Sequence, residues 1–180
     1  LIKTLLQAGI SVTACDKAPR TAFGALADEL ESMGAVLHLG DAYLDGLDQD
    51  VIFRSPGIRP DIPPFLSAME KGSALTSEME VFFQVCPCKI IAVTGSDGKT
   101  TTTTLIAEML KNAGYTVHLG GNIGKPLLSE AGSISPDDIA VLELSSFQLM
   151  TLSASPDIAV FTNLSPNHLD YHHTMEEYTA

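Results

Sequence analysis

Thr94-Gly-Ser-Asp-Gly-Lys-Thr-Thr101 brings glycines, a lysine and hydroxyls together at a spacing suited to holding phosphate. Gly95 and Gly98 free the backbone N–H groups to close around phosphate oxygens, and the helix expected after them adds the positive end of its dipole. Lys99 can reach the β- and γ-phosphates of ATP, and the Thr100 hydroxyl can hold Mg²⁺. Gly95, Ser96, Asp97, Gly98, Lys99, Thr100 and Thr101 are therefore the candidate ATP-binding residues. Val93 stands where the general pattern has its first glycine. The apolar run Ile90-Ile-Ala-Val93 before the loop still favours phosphate binding over an incidental strand–turn–helix. Such a loop serves motors, switches, kinases and ligases alike, so other residues must decide the reaction.

Glu143 ends the apolar run Ile139-Ala-Val-Leu. At the C-terminal end of a strand it would face the ligand crevice and could complete a Mg²⁺ shell with Thr100; the bland reading is a surface glutamate. His168, in Asn163-Leu-Ser-Pro-Asn-His-Leu-Asp170, also follows a strand, which favours a site role over a solvated histidine. His38 and His118 read as structural or solvated, and His172-His173 reads as an exposed pair rather than a metal patch. Gly121-Asn122-Ile-Gly124 is either a plain turn or a place where Asn122 meets a phosphate or carboxylate. Ser55-Pro56-Gly57 has the same character, with N–H groups that could meet a diphosphate.

These residues need strands that end together, and the chain supplies alternating strands and helices. Strands are expected at Ser11–Asp16, Ala35–Leu39, Val51–Arg54, Lys89–Thr94, Thr116–Leu119, Ile139–Leu144 and Asp157–Thr162. Helices are expected at Gly24–Met33, Pro64–Lys71, Thr101–Asn112, near Pro126–Glu130, near Phe147 and after the last loop. Another, Ser77–Val85, would carry a Ser77/Glu80 capping box. The alternation predicts an α/β chain with a mainly parallel sheet covered on both faces. Cys86-Pro-Cys88 marks the expected boundary between a Rossmann-like domain, residues 1–86, and a P-loop NTPase-like domain, residues 87–180. Both read as incomplete: the first lacks an opening strand with its Gly-rich turn, the start reads as the last turns of a helix, and the end reads as a helix just beginning.

The balance of 10 basic against 22 acidic side chains gives −12, and no Lys or Arg occurs from Pro126 to Ala180. A nucleic-acid reader needs a basic face, so nucleic acid is set aside. No apolar run reaches the ~18 residues that a membrane span needs. Three cysteines with no completing Cys/His pair read as reduced cytosolic thiols rather than disulfides or zinc ligands.

Taken together, the phosphate loop, Gly121-Asn-Ile-Gly124, Glu143-Leu-Ser-Ser-Phe-Gln-Leu149 and Asn163 with Asn167-His-Leu-Asp170 resemble the Mur ligases of peptidoglycan synthesis. The Glu-Leu-Ser-Ser-Phe-Gln run points to the D-glutamate-adding branch. The resemblance implies a UDP-substrate domain, a central ATPase domain and a C-terminal amino-acid domain. This chain would carry most of the first and half of the second, and so be inactive alone. It implies ATP and Mg²⁺, with UDP-N-acetylmuramoyl-L-alanine and D-glutamate as partners. It further implies catalytic Lys99, Glu143 and His168, and Mg²⁺ held by Thr100, Glu143 and His168. Asp16, Ser55, Pro56, Gly57, Asn122, Ser145 and His168 would contact the UDP-substrate. The family commonly has Asn at Asp97, where a carboxylate beside phosphate is unfavourable unless a cation or a proton offsets it.

Rival readings are another ligase of the same fold, such as folylpolyglutamate synthase, and a P-loop switch or nucleotide-binding fragment without ligase activity. The guanine-reading Asn-Lys-x-Asp motif of a switch GTPase is not present.

Overall fold

In a computed structural model, which describes residues 1–179, the elements run in the following order. Helix α1 (Ile2–Gln7), strand β1 (Thr13–Asp16), α2 (Ala25–Ser32), β2 (Val36–Leu39), β3 (Val51–Phe53), α3 (Pro63–Glu70), β4 (Ala74–Thr76) and α4 (Glu78–Val85) come first. Then follow β5 (Lys89–Thr94), α5 (Lys99–Asn112), β6 (Val117–Gly121), β7 (Ile139–Glu143), α6 (Ser146–Leu149), β8 (Ile158–Phe161), α7 (Leu169–His172) and α8 (Met175–Thr179). Short 3₁₀ turns occur at Arg20–Ala22 and Leu128–Ser133.

The chain forms two compact units, Leu1–Asp50 with Asp61–Ala74, and Val51–Pro60 with the chain from Leu75 onward. Residues 51–60 and 75–86, which the sequence groups with the first domain, thus pack in the second unit. In the first unit β1 and β2 pair in parallel, with Asp16 opposite Leu39. Ala27 and Leu30 of α2 and Phe65 and Ala68 of α3 are buried there.

The second unit holds a four-stranded sheet of order β6-β7-β5-β8 in which every pairing is parallel. Alternation along its strands sorts the apolar side chains onto two faces. Ile90, Ala92, Ala140 and Leu142 pack with Phe82 and Met79 of α4 and with Leu127 and Ile134. Val93 and Val141 have the opposite parity and are buried, on the side where α5 contributes Thr103 and Ala107. Full burial of a side chain such as Phe82 contributes about 1.5–3 kcal/mol. Ser77 caps α4, its hydroxyl accepting from the Glu80 N–H at 3.2 Å. Cys86 and Cys88 are unoxidised, with sulfurs 3.5 Å apart. Burial, with the neighbouring Cys86 thiol, pushes Cys88 up to about 12, so it stays protonated in the core. No helix among the described residues is long and apolar enough to cross a membrane.

Three local differences from expectation have physical causes. β4 is only three residues long, too short for its alternation to register. β6 runs on through Gly120 and Gly121 because nothing larger fits: a Cβ at Gly121 would lie 2.1 Å from the Glu143 carbonyl oxygen. The turn after Pro126 is 3₁₀ rather than α, and there the Ser129 and Ser133 hydroxyls donate to the carbonyls of Pro126 and Glu130.

Candidate active site

Register decides what meets at the C-terminal edge of the sheet. Val93 pairs with Glu143, and Glu143 pairs with Gly121 on its other side. Thr94, Glu143 and Gly121 therefore end three neighbouring strands together, at the edge where α/β sheets hold ligands. β5 enters the phosphate loop there, and α5 starts at Lys99, after Gly98 in left-handed conformation.

The loop is braced before any nucleotide arrives. Gly95 has φ +131°, and a Cβ there would sit 2.2 Å from the Thr162 hydroxyl oxygen and 2.9 Å from the Asn163 carbonyl oxygen. Its missing side chain lets the segment after β8 press on the loop. Asn163 accepts from the Asp97 N–H through its side-chain oxygen and donates to the Asp97 carbonyl. Ser96 is buried: its hydroxyl donates to the Ser165 carbonyl (2.8 Å) and accepts from the Ser165 N–H. With its one proton so used, it accepts from the Tyr178 hydroxyl, 2.8 Å away. Lys99 folds back, its ammonium donating to the carbonyls of Gly95 (2.7 Å) and Ser96 (2.9 Å). Asp97 is exposed, with its carboxylate 3.4 Å from the Ser165 hydroxyl.

Glu143 is 2 % exposed. One carboxylate oxygen accepts from the Thr100 hydroxyl at 2.6 Å, the other from the Asn122 side-chain amide at 2.9 Å. The Asn122 N–H also donates to the Glu143 carbonyl, at 2.7 Å. The Glu143 carboxylate offers hard oxygen ligands of the kind that Mg²⁺ takes. Its neighbour is a hydroxyl, a hard oxygen ligand. The Thr100–Glu143 pair therefore fits a magnesium ion.

A cavity of about 710 Å³ opens beside this edge, and Lys99, Asn122, Ser145, Phe147, His168 and Tyr178 are among its walls. Ser145 caps α6 and forms a full capping box with Gln148. His168 takes φ +52°, and its ring meets Phe147 edge-on at 4.9 Å. The structure thus gathers Gly95, Lys99, Asn122, Ser145 and His168 around one space, with Thr100 and Glu143 joined at the sheet edge. Ser55, Pro56 and Gly57 form a turn in the same unit, where the Tyr171 hydroxyl donates to the Pro56 carbonyl. Asp16 belongs to the other unit; its carboxylate accepts from the Ala18 N–H at 2.8 Å. His118 is structural, bonded to Asp138 at 2.8 Å, and this bond holds the Asp138 carboxyl below its ordinary range.

The expected exposed His172-His173 pair is corrected by the structure. His173 is exposed, but His172 is buried, with Nε2 2.8 Å from the Ser146 hydroxyl and its ring stacked on Phe147. The helical turn of α7 rolls it inward, among aromatic rings that exclude water. Its Nδ1 has no hydrogen-bond partner among the described residues. Burial lowers its pKa below 6.5. The unfolded chain therefore takes up the proton first. The contribution of His172 to stability is complete above pH 6.5 and is lost as pH falls through the lower folded-state value. Thermal melts are expected to lose stability as pH falls below 6.5, and His172→Phe is expected to flatten that loss. An equal pH slope in the variant would assign the loss to other groups.

From the sequence, Asn163 belongs to a motif but carries no assigned role, and Tyr178 and Arg54 are assigned none. Asn163 follows an apolar strand, the same signal that marked Glu143 and His168. Arg54 stands between the apolar run Val51-Ile-Phe53 and Ser-Pro-Gly, an odd place for a charge.

Residues 93–180 match the model of the Mur ligase middle domain. The chain is 55 % identical over 179 residues to the UDP-N-acetylmuramoylalanine–D-glutamate ligase of Clostridium botulinum (strain Okra / Type B1), and 55 % identical over 181 residues to that of Acetivibrio thermocellus. These alignments cover 99 % and 100 % of this chain, but the chain spans only 39 % of the length of either relative. Among solved structures it is similar in fold to a UDP-N-acetylmuramate:L-alanyl-γ-D-glutamyl-meso-diaminopimelate ligase of Neisseria meningitidis. There the TM-score is 0.53 and the identity 18 %, covering 97 % of this chain and 59 % of that one. The UDP-N-acetylmuramate–alanine ligase of Thermotoga maritima gives a TM-score of 0.50 at 22 % identity, covering 97 % of this chain and 40 % of that one.

Proposed function

The chain belongs to the Mur ligase family, and from that premise we propose that the full-length protein is an ATP-dependent ligase adding D-glutamate to UDP-N-acetylmuramoyl-L-alanine. The observation that carries a carboxylate-activating chemistry is the buried Glu143, joined to the phosphate loop through Thr100 and to the cavity through Asn122. The choice of substrates rests on the likeness to the D-glutamate ligases.

In this reading the substrate carboxylate attacks the γ-phosphorus of ATP and ADP leaves. The D-glutamate amine then attacks the carbonyl carbon of the acyl phosphate. Phosphate departs from the tetrahedral intermediate, and the amine loses its proton. Lys99 exchanges the Gly95 and Ser96 carbonyls for phosphate oxygens and neutralises charge as the phosphoryl group moves. Backbone N–H groups from Gly95 to Thr101 hold the remaining phosphate oxygens. Thr100 and Glu143 would hold one Mg²⁺ and His168 would help to hold a second; when bound, Mg²⁺ offsets phosphate charge and orients the transferring group. Asn122 and Ser145 orient the muramoyl-alanine end of the substrate, Ser55–Gly57 its diphosphate, and Asp16 in the first unit its uridine. Residues 1–86 are the proposed UDP-substrate domain and residues 87–180 the proposed ATPase domain. The proposed setting is the bacterial cytoplasm, which suits three unoxidised cysteines.

The test is an amino-acid screen with full-length protein, ATP and UDP-N-acetylmuramoyl-L-alanine, read by phosphate release and product mass. D-glutamate is expected to give the ligated product. Preference for another amino acid, or ligation onto a glutamyl-folate instead, would overturn the substrate assignment.

A further inference from the structure

We infer that Arg54 is a positioning residue that fixes the Ser55–Ile58 turn to α6, so that the UDP-substrate meets a preformed pair of contact points. This rests on the reading of Ser55–Gly57 as a diphosphate contact. Arg54 is 3 % exposed, and its guanidinium divides its donors between two structures. Nη1 donates to the carbonyls of Pro56 (3.1 Å) and Ile58 (2.7 Å), on the turn itself. Nη2 donates to the Phe147 carbonyl (3.3 Å) and the Thr151 hydroxyl (3.2 Å), at the end of α6. Phe147 lies in a one-turn helix whose last carbonyls lack intrahelical partners, and Arg54 supplies one. The Tyr171 hydroxyl, donating to Pro56 from α7, is a second tie on the same turn. α6 carries Ser145 at its N-cap and Phe147 against His168, so the turn and the cavity wall are held by one side chain.

Stability alone is a poor account of this arrangement. A buried guanidinium facing carbonyls and a hydroxyl has a large desolvation cost, and among the described residues no carboxylate pairs with Arg54 to offset it. An apolar side chain of similar volume would fill the space at lower cost. What it would not supply is a planar fork with donors fixed in two directions. Lysine keeps the charge but loses the fork, so it separates positioning from simple attraction of an anion.

The experiment is steady-state kinetics of full-length Arg54→Lys, Arg54→Met and Gly57→Val. A Cβ at Gly57 meets nothing within 4 Å, so Gly57→Val disturbs little in the free protein but obstructs a ligand approaching the turn. Arg54→Lys is expected to raise KM for the UDP-substrate about tenfold, with KM for ATP and kcat within about threefold of the parent. Gly57→Val is expected to raise the same KM. If Gly57→Val raises it and Arg54→Lys does not, the positioning inference is overturned while the diphosphate reading stands. Impairment of Arg54→Met alone would overturn the inference in the same way, because charge rather than the fork would then be what matters. A uniform fall of kcat with both KM values unchanged would make Arg54 merely structural and overturn the inference. An unchanged KM in Gly57→Val would overturn the diphosphate reading and the inference with it. Melting curves of each variant show whether it folds, and Arg54→Lys, which keeps a buried donor, carries the test if Arg54→Met does not fold.

Discussion

Lys99→Ala in the full-length protein is expected to lower kcat for ligation by about a thousandfold or more. Among the described residues the Lys99 ammonium is bonded only locally, to the carbonyls of Gly95 and Ser96 at the mouth of the loop. Those bonds join residues three and four apart on one loop that is braced separately by Asn163, Ser165 and Tyr178. Removing the side chain therefore leaves the loop in place, and the thermal midpoint should change little. The loss falls on phosphoryl transfer, where a positive charge beside the moving phosphoryl group has no substitute. Measured kcat within tenfold of the parent would sink the assignment of this loop to ATP chemistry.

Glu143→Gln should lower kcat by about a hundredfold or more while the protein stays folded. The amide can keep its oxygen toward the Asn122 side chain and turn its NH₂ toward Thr100, whose hydroxyl can accept as well as donate. Each polar group then keeps a partner, but the anionic oxygen needed for a divalent cation is gone. Glu143→Leu removes both oxygen ligands outright. Thr100 and Asn122 lose their acceptor, but both residues are exposed and can turn to water, so the loss again falls mainly on activity. The diagnostic measurement is the Mg²⁺ dependence of ATP turnover: Glu143→Gln should need far more Mg²⁺. An unchanged Mg²⁺ requirement, with activity near the parent level, would return Glu143 to a packing role.

Much of the site could be read before the structure, for a physical reason. In a parallel sheet the C-terminal ends of strands converge, so a polar residue after an apolar run of four or five is marked by its position. Thr94 and Glu143 are of this kind, whereas His168 was marked only by lying in the loop that follows the strand Ile158–Phe161. The loop from Gly95 to Thr101 was legible because few other uses need those residue types in that order. Arg54 and His172 were not legible, because their roles depend on burial. A lone arginine beside Ser-Pro-Gly and a second histidine in a polar stretch both look solvated until tertiary packing encloses them. β4 and the path of β6 through Gly120 and Gly121 failed for another reason. Short strands and paired glycines carry too little side-chain pattern to show that they pair, and the closeness of Gly121 to Glu143 is a fact of register that only the sheet displays.

The split grip of Glu143 also limits how this site can change over generations. Aspartate there is one methylene shorter and would draw back from both Thr100 and Asn122 at once. At 122, Asn is suited because its amide reaches the carboxylate while its own N–H holds the carbonyl of the same residue. Gly121 cannot gain a side chain without striking that carbonyl. Positions 100, 121, 122 and 143 are therefore interlocked: a substitution at any one of them disturbs a contact made by another.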